Sequence, residues 1–291
     1  MVVGDWNGKE VAVAKYIDDG SVERKKVMRE EFKKEVEMRS RLQHDNLVNL
    51  VAFCCPDINH PSEPYLLVMD RMDKSLQELV DEKGKLSLQV RVELMMDVAK
   101  AMLYLHIQEV MHRDLKPANV LVKMQVGEEG RGKWQAKISD FGISKQLTGD
   151  IKTMVQTAEV GTWMYLAPEM TKNEPAGRKS DVYSCAMSFF QILTSRFPYN
   201  NQNEWMQSMF DESMRPKFGD GDGVPAELQT LVEHMWQHDA ADRSTFDQVL
   251  ASLTNIQARL AQQQQIQAGG LAAASASQPA ALVRLASIDG D

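Results

Sequence analysis

Cysteine is scarce in this chain, with Cys54, Cys55 and Cys185 the only three among 291 residues. An odd number, two of them adjacent, supplies neither a disulfide framework nor the paired spacing of a zinc site. A reducing compartment is expected, namely the cytoplasm, with the nucleus also open. Positive charge is in deficit as well, since 33 Lys and Arg face 41 Asp and Glu for a formal net charge of -8. That is the wrong sign for a general nucleic-acid binder, which needs excess Lys and Arg to neutralise phosphates, although it leaves a small anionic ligand open. No apolar run reaches the length of a membrane span, and the opening MVVGDWNGKE lacks the apolar core of a signal peptide. No internal repeat is visible. What remains is an ordinary globular composition, 43% hydrophobic and 25% charged, long enough for one large domain or two lobes.

The pattern divides the chain in two. Residues 2–16, VVGDWNGKEVAVAKY, predict two short strands joined at Asn7-Gly8, a dipeptide that favours a tight hairpin. In residues 22–43 the apolar positions Phe32, Val36, Met38 and Leu42 predict a helix with one partly apolar face. LVNLVAF and PYLLVM, either side of CCPDINHPSEP, predict two more strands and complete a small first lobe over residues 1–72. From Ser87, a plausible N-cap, LQVRVELMMDVAKAMLYLH repeats apolar residues at helical spacing and opens a mainly helical second lobe, residues 73–260. NVLV and AKIS predict two short strands around the Gly-rich MQVGEEGRGKWQ. DVYSCAMSFFQILT, PAELQTLVEHMWQ and FDQVLASLTNIQARL predict further helices. Residues 261–291 are Gln- and Ala-rich, expected to extend the last helix and then to become a disordered low-complexity tail.

One stretch carries chemistry. MHRDLKPANV, residues 111–120, packs two cations, a carboxylate and an amide immediately before an apolar run, the makings of a phosphate and metal site. With DFG at 140–142, APE at 167–169 and DVYS at 181–184 following in order, the chain resembles the eukaryotic protein kinases over roughly residues 1–258. The resemblance implies an α+β, bilobal fold, with a small sheet and one helix above a larger helical lobe. It also implies phosphoryl transfer from ATP with Mg2+, in which the protein supplies alignment and charge. On that resemblance Asp114 accepts the proton of the attacking hydroxyl, Lys116 reaches the transferring phosphate, and Asn119 and Asp140 are the oxygen ligands of the metal.

The same resemblance makes Glu35 the helix glutamate that pairs with a strand lysine. It places Met69 at the back of an adenine pocket, next to the linker of Asp70, Arg71 and Met72. Glu169 and Arg243 become a buried structural pair, and Asp181 supports the catalytic loop from beneath. Arg113 implies a cationic pocket for a phosphate on the activation segment, put there by an upstream kinase. Ser144, Thr148, Thr153 and Thr157 are candidates, with Thr153 and Thr157 favoured, and Thr162 is placed to meet Asp114 and Lys116. Lys116-Pro117 and GTWMYLAPE look like the serine/threonine pattern, with a protein hydroxyl as substrate. DWNGKEVAV and HDNLV look like the tyrosine-kinase-like branch.

Four departures stand out. The family's G-x-G-x-x-G-x-V reaches this chain only at its terminal valine, where Met1 stands, so the first strand and loop glycines are expected to be missing. Either the sequence is a fragment of a longer kinase or the nucleotide is held under an open lid. Counting from Trp6-Asn7-Gly8 puts Ala14 at the lysine position and Lys15 one place late; a one-residue bulge would restore Lys15, the only lysine available, and Lys15 is the expected residue. Arg39 sits where a hydrophobic residue behind the helix usually packs, and Cys185-Ala186 replaces Phe-Gly. Three functions compete: an active serine/threonine kinase, a pseudokinase-like binding module, and a small-molecule phosphotransferase, against which GTWMYLAPE and Arg243 speak. RLAS at 284–287 has the basic-residue spacing of a phosphorylation site, a match that flexible tails often carry by chance.

Overall fold

Segments with β-branched valines build the first two strands, β1 (Val2–Trp6) and β2 (Lys9–Tyr16). Between them Asn7 and Gly8 both take positive φ, 53° and 79°, as the two-residue hairpin turn demands. The computed structural model describes residues 1–16, 22–56, 63–82, 86–126, 132–141, 162–171 and 177–276. Two further strands, β3 (Leu50–Cys54) and β4 (Tyr65–Asp70), complete an antiparallel sheet of order β1-β2-β4-β3. Helix α1 (Val22–Arg41) lays Phe32 and Val36 on that sheet against Val48, Leu67 and Met69. Phe32 also meets the rings of Tyr16 and Tyr65, at 6.2 and 5.0 Å between centroids.

The second lobe begins with β5 (Lys74–Ser75) and α2 (Leu76–Asp81), whose start is fixed by a reciprocal cap between Ser75 and Glu78. Helix α3 (Leu88–Ile107) starts at Ser87, whose hydroxyl accepts from the Val90 N–H at 3.3 Å. The expected strands at NVLV and AKIS are longer than that: β6 (Val120–Val126) and β7 (Gly132–Ile138) pair along their whole length beside β5, because the flanking residues continue the ladder. The remaining α-helices among the described residues are α4 (Pro168–Thr171), α5 (Arg178–Thr194), α6 (Gln202–Ser208), α7 (Ala226–Met235) and α8 (Phe246–Ala276). Every residue of α5 from Ser180 to Leu193 is buried, so this helix is the axis of the lobe rather than a surface element. Helix α8 continues past residue 261 to Ala276, in line with the expected extension of the last helix, because Gln and Ala carry little helical penalty; residues 277–291, including RLAS, lie outside the described residues.

The lobes are joined by more than the chain. Val48 N–H donates to Ile138 O and Ile138 N–H to Asn46 O, both at 2.9 Å, while Asn46 Nδ2 donates to Ala136 O at 3.0 Å. The loop after α1 is thereby stitched to the end of β7, and Asp140 follows two residues on. Residues 111–119 enter the same region between α3 and β6. Among the described residues no helix is long and apolar enough to cross a membrane.

Candidate active site

The loop before β6 is held in an unfavourable shape by one carboxylate. Arg113 adopts φ 66°, a left-handed conformation costly for a long side chain. Asp181, 1% exposed near the start of α5, accepts from Arg113 N–H at 2.8 Å and His112 N–H at 3.0 Å, with His106 Nε2 at 2.9 Å. The His112 ring lies 3.0 Å from Ser139 O and ties the loop to the segment that carries Asp140.

Asp114 projects from this loop. Asn119 Nδ2 donates to its main-chain oxygen at 2.7 Å and its carboxylate at 3.0 Å; Lys116 Nζ stands 3.4 Å from the same carboxylate and donates to Thr162 Oγ1 at 2.8 Å. Asn119 O in turn accepts from Ser139 N–H and Ser139 Oγ, at 2.9 and 3.0 Å. The structure therefore brings Asp114, Lys116, Asn119 and Thr162 into one cluster. Asp140, at φ 53°, keeps its side chain 61% exposed at the mouth of the cleft, where Ser139 Oγ donates to it at 3.3 Å.

Lys15 is not where the sequence expectation put it. The β1–β2 and β2–β4 registers run without a bulge, pairing Lys15 with Leu66 and Ala14 with Leu67. Strand side chains alternate, so Ala14 and Tyr16 pack against the Phe32 and Leu67 cluster while Lys15 is exposed on the other face. On the Tyr16 face, burial and then the charge of Glu35 push the phenol upward. Glu35 pairs instead with Arg39, at 2.9 Å and one turn along α1. Sequence reasoning noticed Arg39 as an oddity but not as a partner, although the i,i+4 spacing is the signal that finds it.

Met69, 8% exposed, is buried in the first-lobe cluster, against which Met72 of the linker and Leu121 of β6 also pack. Asp70 ends β4, at the start of the linker. Its carboxylate is engaged by Lys9 and Lys137, each at 3.0 Å, and by Asn49 Nδ2 at 3.2 Å, so its side chain fastens the sheet to β7. Burial alone would raise its pKa, but the bonds from Lys137 and Lys9 outweigh it and hold the carboxyl at about 2.

Below Asp114 the Thr162–Tyr165 turn is pinned by Ser184 Oγ on Tyr165 O, at 2.8 Å, and by Tyr165 Oη on Gln191, at 2.5 Å. A cavity of about 1000 Å³ opens beneath it, lined by Lys116, Thr162, Trp163, Phe197 and Met214 among others. Glu169 and Arg243 form a forked pair at 2.7 and 2.8 Å, with Ser180 Oγ also on Glu169 at 2.7 Å. Arg243 donates further to the main-chain oxygens of Lys179, Gln237 and His238 and lies 5.0 Å over the Tyr183 ring.

Thr153 and Thr157, with Ser144 and Thr148, fall outside the described residues, so the expected activation phosphate site is represented only by Arg113 and Thr162. Arg113 Nε is buried without a hydrogen-bond partner among the described residues. Among those residues no group of three or more His, Cys, Asp or Glu forms a metal cluster. Magnesium does not need one, since it takes one or two protein oxygens and fills its shell with phosphate and water. Asp140 and the Oδ1 atom of Asn119, whose Nδ2 is committed to Asp114, fit that demand.

The family model for the protein kinase domain matches residues 1–253. The chain belongs to the protein kinase family. It is 31% identical over 256 residues to a probable serine/threonine-protein kinase of Dictyostelium discoideum, covering 87% of this chain and 15% of that protein. To the probable serine/threonine-protein kinase SIS8 of Arabidopsis thaliana it is 30% identical over 257 residues, covering 87% and 23%. To the serine/threonine-protein kinase VIK of the same plant it is 29% identical over 268 residues, covering 89% and 58%. The kinase domain therefore spans less than two thirds of each of these relatives.

Proposed function

We propose that this kinase domain transfers the γ-phosphoryl group of Mg-ATP to a serine or threonine hydroxyl of a protein. The observation that carries the reading is the single cluster of Asp114, Lys116, Asn119 and Thr162 on a loop braced by Asp181. Asp114, oriented by Asn119, accepts the proton of the incoming hydroxyl and aligns it for attack. Lys116, between Asp114 and Thr162, supplies positive charge where the transferred group moves. Asn119 and Asp140 would hold the magnesium, which when bound neutralises phosphate charge. The apolar side chains of Met69, Met72 and Leu121 would border the base. A protein substrate would lie along the Thr162–Tyr165 turn, and the three relatives named above are all described as serine/threonine kinases.

Transfer of labelled phosphate from ATP to a generic protein substrate, followed by identification of the phosphorylated residue, tests the reading. Asp114→Asn is expected to lower transfer by about 10²–10⁴-fold, the range of general acid–base contributions. A second reading, a partner-binding module without turnover, is favoured by one observation, the exposure of Lys15 on the face away from Glu35. Absence of transfer from this chain and from an N-terminally extended one, with partner binding indifferent to nucleotide, would favour that reading instead.

A further inference from the structure

Arg39 is out of character for its position. Phe32, Val36 and Arg39 occupy one stripe of α1, and the first two are ordinary core residues. Arg39 is just as buried, at 3% exposure, where a leucine would satisfy packing at no electrostatic cost. Its guanidinium makes one hydrogen bond and faces three further groups. Nε donates to Glu35 at 2.9 Å, Nη2 stands 3.8 Å from Asp140 Oδ1, Nη1 lies 3.8 Å from Met69 Sδ, and the group sits 5.2 Å over the Phe141 ring. Across the cluster β2 offers Ala14 and Tyr16, neither of them a cation, because Lys15 lies on the opposite face. Among the described residues Arg39 is the cation paired with both Glu35 and Asp140.

We propose that Arg39 is the positioning residue of the metal site: it couples Glu35 of α1 to Asp140 and Phe141, so the metal-ligating carboxylate is oriented by the helix itself rather than by a cation on β2. The inference rests on the Mg-ATP reading above. Arg39 is enclosed and does not itself reach the cleft; it acts through Asp140, holding Oδ1 on the helix side while Ser139 holds Oδ2. A fork with several donors spans two carboxylates and an aromatic face at once, which a lysine on the helix would not do.

The test is equilibrium binding of ATP and of adenosine at several Mg2+ concentrations, by calorimetry, to the wild-type chain, Arg39→Leu, Arg39→Gln and the pair Ala14→Lys with Arg39→Leu. Circular dichroism checks folding. Leucine continues the apolar stripe, and glutamine, which keeps a hydrogen bond to Glu35, serves should leucine misfold. The expected result is unchanged adenosine affinity, with the Mg2+-dependent gain for ATP over adenosine falling roughly 10-fold or more, the loss of one charge-assisted contact. Ala14→Lys is expected to restore part of that gain by placing a cation on the face that meets Glu35. A purely structural Arg39 would lower stability without moving the ratio. Full Mg2+-dependent gain in both Arg39 variants overturns the inference while leaving the kinase reading intact. A wild-type chain with no Mg2+-dependent preference for ATP overturns both.

Discussion

Replacing Asp181 by asparagine removes the charge that three groups share. Asp181 Oδ1 accepts from Arg113 N–H, while Oδ2 accepts from His112 N–H and meets His106 Nε2, all within 2.8–3.0 Å. Asparagine keeps one oxygen, best spent on Arg113, and then turns its NH2 toward the His112 N–H, donor against donor. Each hydrogen bond to a charged group contributes about 1.5–3 kcal/mol, so one lost outright and another weakened amount to roughly 2–4 kcal/mol. A domain of ordinary stability, about 5–15 kcal/mol, remains folded after that loss. The left-handed Arg113 backbone, which stores about 1–3 kcal/mol, then has less to hold it and tends to relax, displacing the neighbouring Asp114. Transfer is expected to fall about 100-fold, the cost of an ångström-scale misplacement. Urea unfolding should show a lower midpoint at unchanged slope, and hydrogen exchange at His112 and Arg113 should lose protection. An unaltered midpoint together with intact protection of those two amides would refute the claim that Asp181 holds the loop.

Arg243→Ala should destabilise the second lobe by about 3–5 kcal/mol, because it leaves the largely enclosed Glu169 carboxylate without its cation and with Ser180 as its remaining side-chain donor; a urea midpoint shift under 1 kcal/mol, by the same measure, contradicts that. Asp70, held at about 2 against an ordinary 3.8, contributes stability that is fully present above the unfolded carboxyl pKa and is lost as pH falls from about 4 toward 2. After discounting for the exposed Lys9 partner the contribution is about 1 kcal/mol, and Lys137→Met should raise the Asp70 titration midpoint seen by carbon-13 NMR of its carboxyl. Ser87→Ala removes the cap on α3 and should cost about 1 kcal/mol in thermal or urea unfolding, with no change in nucleotide binding.

The sequence by itself determined the family and the two-lobe plan, for local physical reasons. Asn7-Gly8 can only be a hairpin turn, Ser87 supplies its own cap, and Asp114, Lys116 and Asn119 lie within one short loop whose spacing already groups them. The loop's partner Asp181 and the separate Glu169–Arg243 pair were also readable, because these residues stand in ordered motifs. Tertiary structure alone decided what each cation serves. Whether Lys15 or Ala14 faces α1 depends on a strand register set by pairing with β4, and a slip of one residue reverses every side chain. Arg39 is half of an i,i+4 pair in the sequence, but its reach to Asp140 and Phe141 spans about a hundred residues and exists only once β7 is stitched to the loop after α1. Asp70 likewise carries no mark of its two lysines, since one comes from β2 and the other from β7. Short-range chemistry is written in spacing, whereas the pairing of buried charges depends on which faces the packed elements turn to one another.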